Sequence, residues 1–110
     1  MQLSSFLFFT RNSGVAYNRN MNNDAIFKAL SDSTRRLILD ELSERNEQTF
    51  YELTVRLITK HDLVITRQAV AKHLSTLEDA GLVKSEKRGK YRVIIFSNEP
   101  LKNLLQGWIE

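Results

Sequence analysis

The feature that most constrains this chain is a change of hydrophobic period at Gly81. Before it, apolar residues recur at the three-to-four spacing of helices; after it they gather into two short runs rich in β-branched and aromatic residues. Ile26, Phe27 and Leu30 mark a short helix from Asp24. Asp32 then suits an N-cap for a second helix that turns Leu37, Ile38 and Leu42 inward and ends near Arg45. Thr49 and Glu52 form a T-x-x-E capping box, so a third helix begins there with Phe50, Leu53 and Leu57 as its buried stripe. After the less regular stretch TKHDLVI, Thr66 caps a fourth helix whose Val70, Leu74 and Leu77 fall on one face, and Gly81 stands where a C-cap glycine belongs. Leu82–Lys87 and Tyr91–Phe96 read as strands joined at Arg88-Gly89, where glycine supplies the positive φ of a tight turn. Pro100 opens a last helix, and Leu101, Leu104, Leu105 and Trp108 give it an apolar stripe ready for a partner.

The order helix, helix, helix, helix, hairpin, helix predicts a mainly α fold with a small β-hairpin: a winged helix-turn-helix of about five helices plus a two-stranded wing. At 110 residues the chain suits one domain. We assign residues 23–110 to it and residues 1–22, rich in Asn and Ser and without a sustained period, to a flexible leader or arm. The opening MQLSSFLFF lacks the basic start and small-residue cleavage site of a signal peptide, and no apolar run is long enough to span a bilayer. The absence of cysteine excludes disulfides, thiolate metal sites and cysteine nucleophiles, and it fits a cytoplasmic protein.

The net charge of +3 is modest, but it is concentrated. Between Thr66 and Phe96 lie seven basic residues (Arg67, Lys72, Lys84, Lys87, Arg88, Lys90, Arg92) against three acidic ones (Glu78, Asp79, Glu86). That distribution points to an anionic partner. A DNA-reading helix must enter the major groove while its back is anchored in a core. The fourth helix meets this need: opposite its apolar stripe it carries Gln68, Lys72, Ser75 and Thr76, with Arg67 on a flank. Asp79 on the same face disfavours phosphate near the C-terminal end, so the N-terminal half is the one expected to enter the groove. The basic hairpin, with Lys84, Lys87, Arg88, Lys90 and Arg92, can grip the flanking backbone or minor groove.

The segments ALSDSTRRLILDEL (29–42), RQAVAKHLSTLEDAGLVKSEKRGKYR (67–92) and EPLKNLLQGW (99–108) together resemble the ArsR/SmtB family of winged-helix repressors. The resemblance covers nearly all of residues 23–110 and implies a homodimer built from the first and last helices. Ile26, Phe27, Leu101, Leu104, Leu105 and Trp108 then form its interface. It also implies two recognition helices reading a palindromic operator in double-stranded DNA, spaced about one DNA turn apart, roughly 34 Å. Thr66, Arg67, Gln68, Lys72 and His73 match DNA-contacting positions of the recognition helix, and Arg88, Gly89 and Lys90 match the wing tip. With Thr76, Lys87 and Arg92 they complete the candidate DNA surface on the 66–80 helix and the 84–92 wing.

Three departures from the family pattern stand out. Ser33 replaces a frequent proline, Ala71 replaces a frequent serine, and the spacer around residues 59–64 is about six residues longer than the short turn of the motif. The family's thiolate sensor motif would fall on FYELTVRLI, which has no ligand cluster, so metal sensing is not carried over and no cofactor is expected. His61 and Asp62 read as exposed loop polarity, and Asp40, Glu41 and Glu44 as a solvated helix face. His73 lies on the flank of the apolar stripe, where helix packing and DNA contact are both open. At least one of Arg35 and Arg36 is expected to make structural contacts.

No nucleophile–base pair, phosphate-binding glycine loop or metal cluster suggests an enzyme. The expected function is a sequence-specific, dimeric, cytoplasmic repressor of unknown effector and with no membrane partner. The alternative is a winged-helix module that binds protein rather than DNA.

Overall fold

The computed structural model describes residues 23–109. The leader or arm expected over 1–22 lies outside the described residues. Helix α1 (23–30) turns Ile26 and Ala29 into the core, and its end is tied by the Ser31 hydroxyl donating to the Lys28 carbonyl at 2.7 Å. Asp32 caps α2 (Ser33–Glu44) by accepting from the Arg35 backbone N–H at 3.1 Å, and α2 buries Ile38, Leu39 and Leu42. Thr49 and Glu52 exchange backbone N–H bonds at 3.0 and 2.9 Å, closing the capping box of α3 (Phe50–Thr59). The N-cap of α4 (Arg67–Asp79) is Thr66, whose hydroxyl accepts from the Ala69 N–H at 3.1 Å.

The exit from α4 explains the change of period. Gly81 adopts φ 75°; its N–H bonds the Glu78 carbonyl at 2.9 Å and the Leu82 N–H bonds that of Leu77 at 3.0 Å. This is the Schellman pattern, completed by Leu77 and Leu82, which are both fully buried. The left-handed residue turns the chain sharply into β2 (Val83–Arg88). Gly89 at φ 62° then returns it as β3 (Tyr91–Phe96), with Val83 opposite Phe96 and Arg88 opposite Tyr91. Helix α5 (Glu99–Ile109) carries Pro100 in its first turn.

The wing was expected to have two strands, but the sheet has three. A two-residue strand β1 (Gln48–Thr49) pairs antiparallel with β3, giving the order β1-β3-β2. Two residues carry no period, so β1 left no trace in the hydrophobic pattern. Asn46 extends this ladder with its side chain: Nδ2 donates to the Phe96 carbonyl at 3.1 Å and Oδ1 accepts from the Phe96 N–H at 2.8 Å. Between Asn46 and β1 lies Glu47, in the left-handed region at φ 59°.

The core joins the stripes of all these elements: Leu53 and Leu57 from α3, Val70, Leu74 and Leu77 from α4, and Ile94 from β3 meet Ile38 and Leu42 of α2. Each such leucine removed from water stabilises by about 1.5–3 kcal/mol. The long spacer after α3 is pinned to this core by Leu63 and Ile65, while Val64 between them is fully exposed.

A second anchor corrects two sequence expectations. Glu41 is not solvated; it is 1% exposed, and His61 is not free loop polarity. Glu41 Oε1 lies 3.2 Å from Lys60 Nζ and 3.3 Å from His61 Nε2, and Oε2 lies 3.2 Å from Gln48 Nε2 and 3.4 Å from Arg56 Nη1. Burial alone would raise the Glu41 pKa, but the bonds from Gln48, Lys60, His61 and Arg56 outweigh it and hold the carboxyl below its ordinary value. One buried carboxylate thus ties α2 to β1, to α3 and to the start of the spacer that delivers α4.

Candidate nucleic-acid interface

Helix α4 is anchored through Val70, Leu74 and Leu77, each no more than 1% exposed. Arg67, Gln68 and Lys72 are exposed and make no side-chain hydrogen bond or ion pair among the described residues. Their donors are therefore unclaimed, as groups that must reach base edges or phosphates need to be. Thr66 is exposed at the helix N-terminus, beside backbone N–H groups that favour phosphate.

Two other expected contacts are engaged inside the protein. The Thr76 hydroxyl donates to the Lys72 carbonyl at 3.3 Å. His73 is half-buried, with Nδ1 3.2 Å from Arg35 Nη1 and 3.9 Å from Asp32 Oδ1. A guanidinium can only donate, so in the contact with Arg35 it is Nδ1 that accepts. Arg35 also donates from Nε to the Ala29 carbonyl at 2.8 Å and from Nη2 to that of Lys28 at 3.0 Å. It thereby ties the end of α1 to α4. Arg36 bonds the Leu30 carbonyl at 2.6 Å, so both arginines have structural contacts.

On the wing, Lys87 and Lys90 are exposed beside the turn, with Lys90 Nζ 5.6 Å from the Tyr91 ring centroid. Arg92 lies across the sheet: its Nε donates to Ser85 Oγ at 2.6 Å and its guanidinium stands 5.5 Å from the Phe50 ring centroid. Arg88 is drawn back from the turn. Its Nε donates to Glu86 Oε1 at 2.7 Å and its Nη1 to Glu47 Oε1 at 2.9 Å. The bond from Arg88 holds the Glu86 carboxyl below its ordinary pKa. Sequence reasoning missed the role of Glu47, because the residues that meet are 41 positions apart.

The helix α4, its α3 partner and the adjoining wing have the geometry of a winged helix-turn-helix. The helix-turn-helix domain family matches residues 30–86. The chain is 81% identical over 91 residues to the uncharacterized HTH-type transcriptional regulator YuzN of Bacillus subtilis (strain 168), covering 83% of this chain and 99% of that protein. An ArsR-like transcriptional regulator from Rhodococcus sp. RHA1 superposes with a TM-score of 0.69 at 34% identity, over 82% of this chain and 78% of that one. The chain belongs to the ArsR-like winged helix-turn-helix transcriptional regulators. A second ArsR family regulator of known structure superposes with a TM-score of 0.66 at 29% identity, over 82% of this chain and 84% of the other.

The outer surface of α1 and α5 carries a second cluster of exposed side chains. The Phe27 and Trp108 rings stack with centroids 6.0 Å apart and planes inclined by 16°. Phe27, Leu105, Trp108 and Ile109 are exposed, Trp108 to 65%. Leu101 and Leu104 are half-buried against the chain's own core. Ile26, expected at an interface, is 2% exposed and packs inside the chain's own core. It lies one residue, about 100° of helix rotation, from the outward Phe27. No helix among the described residues is long and apolar enough to cross a membrane.

Proposed function

We propose that this regulator is a dimeric repressor that binds a palindromic operator in the cytoplasm and occludes a promoter. The observation that carries the reading is the α4 surface, where Arg67, Gln68 and Lys72 stand exposed and, among the described residues, unpaired opposite a fully buried anchor. The N-terminal half of α4 enters the major groove, with Gln68 placed to read a base edge, Arg67 to meet phosphate or guanine and Lys72 to meet phosphate. Thr66 and the helix N-terminus meet the backbone, and Lys87 and Lys90 of the wing grip the flanking phosphates. His73 and Arg92 support this surface through the contacts they already make. Phe27, Leu105 and Trp108 supply the apolar surface of the dimer, with Leu101 and Leu104 beneath it.

Selection of bound sites from a random DNA pool, followed by footprinting, tests the proposal. The expected result is a two-fold symmetric consensus with half-sites about one helical turn apart, roughly 10 base pairs. Failure of the folded, dimeric protein to bind immobilised DNA at both low and moderate salt would overturn it in favour of a protein-binding module.

A further inference from the structure

We propose that Glu47, together with Glu86, competes with DNA phosphate for Arg88 and so restrains sequence-independent DNA binding. The inference rests on the DNA-binding reading above and deepens it. Arg88 adjoins the wing turn, where a free guanidinium would meet the backbone, yet its donors face two carboxylates at 2.7 and 2.9 Å. Register shows the direction of the pull. Glu86 lies two residues back along β2 on the same face as Arg88, and the β1–β3 ladder sets Glu47 beyond it, opposite the far half of β3. The guanidinium is therefore held over the sheet, away from the turn.

The holder is itself fixed. The Asn46 side chain locks onto both backbone groups of Phe96, and Oδ1 of the same Asn46 accepts from the Glu47 N–H at 2.8 Å. That clamp places Glu47 at φ 59°, a conformation a non-glycine residue adopts only when its surroundings impose it. Arg88, Glu47 and Glu86 are all about half exposed, so the pairs are weak enough to exchange. Phosphate and carboxylate compete for the same guanidinium, and breaking the latch also leaves two uncompensated carboxylates near the DNA. Lys87 and Lys90 have no such competitor among the described residues.

The test is Glu47→Gln, alone and with Glu86→Gln, each made with and without Arg88→Ala. Affinity for non-operator duplex is measured across a salt series. Releasing Arg88 to one phosphate steepens the slope of log K against log salt by up to about 0.9, which is roughly eightfold in affinity at 0.1 M salt. The gain is expected to be several-fold smaller in the Arg88→Ala background, where only the repulsion of the carboxylates is left to relieve. Glu47→Asn gives a second variant suited to the left-handed φ, and it should behave as Glu47→Gln does. Unchanged or weaker non-operator binding by the variants overturns the inference, as does a gain of undiminished size in the Arg88→Ala background, since that would be the bare effect of lost negative charge. If the wild-type protein itself binds no DNA at low salt, the function proposed above fails instead.

Discussion

Arg67, Gln68 and Lys72 share one exposed surface, but their chemistry separates what each can do. A lysine ammonium is a point charge that any phosphate satisfies, whereas a glutamine amide pairs two groups of one base. Lys72→Ala is therefore expected to weaken binding to every duplex alike and to lower the salt slope by about one. Gln68→Ala is expected to leave the slope alone and relax preference at one base pair, at about 1–3 kcal/mol of discrimination. Competition titrations with singly substituted operators distinguish the two. These residues were legible from the sequence because a helical stripe fixes its opposite face. Glu41 was not: its neighbours Asp40 and Glu44 are exposed, and nothing local announces that Lys60 and His61, about twenty positions later, will close over it.

The Glu41 network also has a pH signature. Its folded pKa is depressed, as are those of Asp32, through the Arg35 backbone N–H, and Glu52, through that of Thr49. A depressed carboxylate contributes stability above its ordinary value, 3.8 for Asp and 4.5 for Glu, and loses it as the pH falls through the folded value. Unfolding free energy is expected to hold from neutrality down to about pH 5 and to fall below it. Glu41→Gln should flatten that fall while costing about 2–3 kcal/mol at neutral pH, because Arg56 and Lys60 keep partial access to water. Urea titrations at stepped pH measure both.

At the scale of elements, the chain is punctuated by caps, and most were readable because capping chemistry is local. Asp32, Thr49 and Thr66 each cap the helix their position in the sequence implied. What could not be read is pairing between distant segments. Strand β1 exists because the capping box and the Asn46 clamp hold two residues against β3, and no periodicity accompanies that. Gly81 lets two causes be separated. A Cβ there would meet the Pro100 ring at 3.7 Å, an ordinary contact, so space does not exclude alanine; the φ of 75° does. Gly81→Ala is expected to cost about 1–2 kcal/mol from the left-handed backbone alone. Gly81→Asn, which tolerates that region, should recover part of the loss. If alanine proved harmless in thermal unfolding, the Schellman exit would not be what directs α4 into the wing.

For the molecule as a whole, the apolar surface left outside the core is where the proposed assembly would form. Phe27, Leu105, Trp108 and Ile109 are exposed together on α1 and α5, and a stacked aromatic pair of this kind offers a buried anchor to a second copy. Two-fold symmetry would set the same patch of each protomer against the other and double its area. Such a dimer fixes the distance between two α4 helices, which one protomer cannot do. Arg35 bonds both the end of α1 and His73 of α4, so a dimer built on α1 would pass its spacing to α4 through that contact. Trp108→Ala removes the largest anchor, expected to cost at least about 2 kcal/mol of association, roughly thirtyfold in the dimer dissociation constant. Sedimentation should then show monomers at concentrations where the unchanged protein is dimeric. Operator affinity should fall while base preference within a half-site stays the same, because α4 itself is untouched. A variant that sediments as a dimer, or one that loses half-site preference as well, would place the assembly surface elsewhere.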